Sequence, residues 1–113
     1  MEEKINSILR EYSNCFKDID CSPIAPGEFV ISFNLEPDRL CSSLMFMDRK
    51  IYHQRKVIKE LIKLYPEKSE QFKELSNRLR NVREQIFKVL QDDYNICGKF
   101  INRDTDDVEY IEC

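Results

Sequence analysis

The sequence predicts a mainly α fold with a minor β element. Its centre is an antiparallel helical hairpin of coiled-coil type, with a packed N-terminal helix and a small β element made of a strand at 28–35 and a C-terminal hairpin at 99–112. Three observations carry this reading. First, a seven-residue apolar period runs from Leu44 to Val89 without losing phase. One register holds Leu44, Ile51, Ile58, Tyr65, Phe72, Leu79 and Ile86, and the other holds Met47, Gln54, Leu61, Lys68, Leu75, Val82 and Val89. Such a 3,4-spaced seam belongs to helices that pack side chain into side chain. Second, Pro66 stands at the centre of that period. Third, 35% of residues are charged, 42% are apolar, and glycine and proline number two and four, a helix-rich composition with enough apolar side chains to fold.

Pro66 decides how the seam is built. Inside a continuous helix a proline removes a backbone donor and clashes with the preceding turn, costing about 3 kcal/mol, whereas at a first helical position it costs little. The chain is therefore expected to reverse at Tyr65–Pro66. The register then pairs Leu61 with Phe72, Ile58 with Leu75, Ile51 with Val82, Met47 with Ile86, and Leu44 with Val89, with every pair centred on the proline. Two arms, about 38–64 and 67–94, match in length at roughly 40 Å. The alternative is a long proline-kinked helix, which would need a second chain to cover its seam.

The elements follow in order along one helical domain, 1–113. Ile5, Ile8, Leu9, Tyr12, Cys15, Phe16 and Ile19 recur at spacings of three and four, predicting an amphipathic helix over 3–20. Ser22, Pro23, Pro26 and Gly27 mark a loop. Phe29, Ile31, Phe33 and Leu35 then alternate with Val30, Ser32 and Asn34, which reads as a strand over 28–35. Pro37 and Asp38 suit the first turn of a helix over 38–64. Gly98 is placed to end the third helix, 67–96, in a left-handed cap. Beyond it, 99–103 and 108–112 flank an Asp-rich turn and read as a hairpin that pairs with the strand at 28–35 or with another copy.

Charge is unevenly distributed. Residues 1–38 carry three basic and eight acidic side chains for a net of −5, residues 39–66 carry seven and two for +5, residues 67–99 net +1, and residues 100–113 net −4, within a chain of −3. Arg49, His53, Arg55, Lys56, Lys59 and Lys63 are expected to share a face opposite the seam. The plain reading is a solvated face partly neutralised by the acidic first helix and tail. The functional readings are a surface for an acidic protein segment or a contact with phosphates.

Chemistry-bearing motifs are sparse. The single histidine, His53, lies among cations on an outward helical face, and no glycine-rich phosphate loop is present. Asn102, Asp104, Asp106 and Asp107 lack the glycine and the distal glutamate of a calcium loop and read as turn residues. Cys15, Cys21, Cys41, Cys97 and Cys113 are odd in number and lack C-x-x-C spacing, so reduced thiols are expected, with Cys15 and Cys41 as small buried hydrophobes. Neither an enzyme, a metal site, a cofactor nor a small-molecule substrate is expected. No stretch reaches the length of a membrane span and the first residues lack the apolar core of a secretion signal, so a cytoplasmic or nuclear location is expected, without membrane association.

Apolar positions beyond the seam give the functional expectation. Phe46, Val57 and Leu64 on the second helix, with Phe87, Leu90 and Tyr94 on the third, widen the stripe beyond what two helices need. They are candidate anchors for a protein partner or for a second copy of the chain, the latter through the seam or a shared sheet edge. Gln54, polar within the seam, is a candidate register or specificity device. The expected function is a small helical adaptor or complex subunit. An alternative is a nucleic-acid-associated accessory protein using Arg49, Arg55, Lys56, Lys59 and Lys63, and a small viral or phage inhibitor of a host protein fits the same composition.

Overall fold

A computed structural model describes residues 2–21 and 29–113. Helix α1 spans Glu2–Asp18, α2 spans Leu40–Leu64 and α3 spans Ser69–Tyr94, followed by strands β1 (Ile96–Asn102) and β2 (Asp107–Glu112). Short 3-10 turns at Pro37–Arg39 and Pro66–Lys68 lead into α2 and α3. The fold is mainly α with a small two-stranded antiparallel sheet.

The chain reverses at Pro66. Tyr65 leaves helical geometry with φ −127° and ψ 71°, its N–H still donating to Leu61 O, and the proline takes the first position of the following turn, where its missing N–H is harmless. Two cross-links between the arms, Asp48 with Arg83 and Arg55 with Ser76, are both centred on the Tyr65–Pro66 step, as an antiparallel hairpin reversing there requires. The seam closes on itself. Leu44, Met47, Ile51, Ile58, Phe72, Leu75, Leu79, Val82, Ile86 and Val89 are all buried, with Leu61 and Tyr65 partly so near the turn. Helix α1 covers the bundle through Ile5, Ile8, Tyr12, Cys15 and Ile19. Asp18 at the end of α1 meets Arg78 of α3, and Asp20 just beyond it meets Lys68 at the turn, both at 3.0 Å.

The strand expected at 28–35 does not form. Its start, with the loop expected at 22–27, lies outside the described residues; from residue 30 onward the segment joins no ladder. Its backbone groups are taken by side chains instead. Ile31 N donates to the Tyr12 hydroxyl at 3.1 Å, and Phe29 O accepts from Gln54 Nε2 at 2.8 Å. Edge-on ring contacts of Phe29 with Phe16, and of Phe33 with Tyr12 and Phe46, pin the segment across α1 and α2. The alternation still reports burial, since Phe33 and Leu35 are half-buried while Ser32 and Asn34 are exposed. Period two thus reads the covered side correctly and misses the absence of a neighbouring strand.

The third helix also ends earlier than expected. Asn95, not Gly98, adopts the left-handed conformation (φ 55°) after Tyr94 and donates its N–H to Leu90 O. Asparagine tolerates that region through its short polar side chain, so β1 can begin at Ile96 and place Gly98 inside the ladder, opposite Ile111 beside an irregularity.

Cysteine usage departs from the expectation of five thiols. Cys97 and Cys113 form a disulfide across the hairpin ends, with Cα atoms 5.1 Å apart, while Cys15, Cys21 and Cys41 are free. A separation of 16 residues shows no sequence motif; the hairpin register alone brings the pair together. Under non-reducing conditions Cys113→Ser is expected to lose about 2–3 kcal/mol of stability, because closing a loop of this length removes about 3 kcal/mol of unfolded-chain entropy. Urea unfolding with and without dithiothreitol checks this. Coincident midpoints for the unreduced parent and the variant would mean that the bridge contributes nothing.

Candidate interaction surfaces

The hairpin is held to the bundle by a buried ion cluster centred on Asp48, which is fully buried on α2. Arg83 Nε of α3 donates to its Oδ1 at 2.7 Å, Lys99 Nζ of β1 reaches both oxygens at 3.3 Å, and the Tyr110 hydroxyl of β2 donates to Oδ2 at 2.5 Å. Four elements therefore meet on one carboxylate. Burial and the adjacent Asp48 charge push the Tyr110 phenol well above its ordinary value. Burial pulls the Lys99 ammonium down, outweighing the attraction of Asp48. The sequence reading missed this cluster. Its one available signal was that Asp48 is one of two acids in 39–66 and follows the seam residue Met47.

The cations of α2 separate into two groups. Arg49 Nε donates to Val108 O at 2.9 Å, with its guanidinium 5.3 Å from the Tyr110 ring centre, and so fastens β2. His53 lies 3.4 Å from Asp107 Oδ1, and Lys56 pairs with Asp106, so these two grip the hairpin turn. That turn is built by its own residues, since Asn102 Oδ1 accepts from Asp104 N at 2.9 Å and Asp106 takes φ 55°. Arg55 turns toward α3, where its Nε donates to Ser76 O at 3.0 Å and Ser76 Oγ at 3.1 Å. Burial, then the neighbouring Arg83 and Arg80, lower its pKa. The expected continuous basic stripe is thus broken, because Arg49 is spent on β2 and Arg55 is turned toward α3, held there through Nε alone.

What remains is a cleft between the turn-proximal halves of α2 and α3, with a volume of about 750 Å³. Arg55, Lys56, Lys59, Lys63 and Lys73 line it, with Glu60 as the sole carboxylate among the lining residues. Lys63 pairs with Glu60 at 3.3 Å in the open, whereas Lys59 and Lys73 have no ion-pair partner among the described residues.

The expected anchors also separate. Phe46, Val57 and Leu64 stand 51%, 48% and 70% exposed along one outward flank of α2. Leu90 is fully buried and is corrected to a core residue, because it belongs to the one apolar cluster that α1, α2, α3 and Ile96 of β1 build together. Phe87 and Tyr94 are half-buried against the core, with Lys99 Nζ 4.9 Å from the Phe87 ring centre. Apolar exposure that the sequence reading did not single out lies on the hairpin, where Phe100 and Ile111 are about half exposed. Gln54 is buried and used within the chain, its Nε2 donating to the Tyr12 hydroxyl and to Phe29 O, both at 2.8 Å. It therefore sets how α1 and the 29–36 segment register on α2.

Comparison of the chain with protein-family models, with curated proteins and with solved structures finds no match. Among the described residues, no helix is long and apolar enough to cross a membrane.

Proposed function

We propose that this chain is a non-enzymatic protein-interaction module, a small helical adaptor or complex subunit, that docks a partner helix on the outer flank of α2. The observation that carries the proposal is the row Phe46, Val57 and Leu64, three large apolar side chains left in solvent on a helix whose seam is already satisfied within the chain. Spacings of 11 and 7 residues keep them on one side of the helix over roughly 27 Å. Lys50 and His53 punctuate the row, and Lys50 Nζ lies 5.2 Å from the centre of the Phe46 ring. A partner helix with apolar residues at i and i+7 and acidic residues between them is complementary to that pattern.

The double variant Val57→Asp/Leu64→Asp tests it. Both side chains are exposed, so helicity by circular dichroism is expected to be retained while association is lost. Light scattering after size exclusion separates the forms of association. A parent mass of twice 13.6 kDa falling to 13.6 kDa identifies self-association through this flank. A monomeric parent that retains an acidic partner helix, with the variant losing it, identifies a heterologous partner. A folded variant that associates as the parent does removes the flank from the proposal.

A further inference from the structure

We propose that the cleft between α2 and α3 is a binding site for a compact, multiply phosphorylated small molecule. It is separate from the apolar flank and does not rest on the adaptor reading. Five cations, Arg55, Lys56, Lys59, Lys63 and Lys73, converge on about 750 Å³, a volume in the range of small-ligand sites. Arg55, Lys59 and Lys63 follow one another at i, i+4, an arrangement of like charges that repel along a helix. The chain as a whole is acidic, with 21 Asp and Glu against 18 Lys and Arg, yet among the residues lining the cleft Glu60 is the sole carboxylate beside five cations. Repulsion is therefore concentrated in the cleft, and a bound polyanion would relieve it.

The site is also built and not merely charged. Ser76 fixes the Arg55 guanidinium through Nε, and the other four guanidinium donors have no acceptor among the described residues. They are left for bidentate contact with phosphate oxygens, with Lys59 and Lys73 contributing point charges from opposite walls. The size of the cleft selects the ligand class: about 750 Å³ accommodates a compact polyphosphate and not an extended nucleic-acid backbone, while Glu60 and Asp106 pair with Lys63 and Lys56.

Titration calorimetry with inositol hexakisphosphate as probe, at about 150 mM salt, tests the assignment. The full chain is expected to bind one equivalent, and Lys59→Gln/Lys73→Gln to bind about tenfold or more weakly, since two charge-assisted contacts are removed. Lys4→Gln/Lys88→Gln removes the same charge from the groove between α1 and α3 and is expected to bind as the parent does. Circular dichroism confirms that both double variants fold. Three results overturn the proposal: no binding by the parent, equal weakening in the two double variants, or tighter and length-dependent binding of a single-stranded oligonucleotide that displaces the probe.

Discussion

Asp48→Ala is expected to destabilise the protein by about 3–5 kcal/mol, read as a fall in the urea unfolding midpoint, because it leaves buried cations without their carboxylate. The side chains of Arg83 and Lys99 are 11% and 24% exposed, so water replaces little of the lost attraction. Tyr110 loses its shorter hydrogen bond at the same time and keeps only the 3.3 Å contact with Met45 O. The damage should concentrate at the hairpin, since Lys99 and Tyr110 are two of its principal ties to the bundle, and hydrogen exchange at 96–112 should accelerate before that of α2 or α3. Asp48→Asn keeps the shape and one acceptor oxygen and should cost less. A loss below about 1 kcal/mol for Asp48→Ala would mean that the cluster is relaxed by solvent and does not tie the elements together.

Leu90→Asp and Val57→Asp are expected to diverge sharply although both replace an apolar helical residue that the sequence marks as an anchor. Leu90 is fully enclosed, so a carboxylate there loses hydration without gaining a partner, and a loss of about 4 kcal/mol or more should unfold much of the population. Val57 is half exposed, and its replacement should change stability by about 0.5 kcal/mol or less. Thermal melts followed by circular dichroism decide between them. Were Leu90→Asp to melt like the parent, Leu90 would belong to a surface after all, and the division between core and docking flank would be wrong.

Much of the architecture was legible because helical period and proline chemistry are local. The seam from Leu44 to Val89, the reversal at Pro66, the stripe of α1 and the Asp-rich turn, which falls one residue earlier than the expected 104–107, each follow from neighbours within a few residues. Other features were read correctly in one respect and wrongly in another. Alternation at 29–35 identified a half-covered segment, but hydrogen bonding to Tyr12 and Gln54 replaced a strand partner. The third helix was known to end near Gly98, but Asn95 served as the cap. Phe46, Val57 and Leu64 stand outside the core, as their phase off the seam suggested, while Leu90 shows that a flank position can be enclosed by the rest of the fold.

The amino-acid order by itself determined which faces of the helices would be apolar and where the chain would turn back, since both depend on side chains within one or two helical turns. Tertiary structure decided the partner of each polar group. Arg49 meets Val108 across 59 positions, Lys99 meets Asp48 across 51, and Arg55 meets Ser76 across 21. Charge patterning records that these residues are cationic but not which carboxylate or carbonyl each one meets. Directional bonds between distant elements therefore settled which cations lock the fold and which remain open in the cleft.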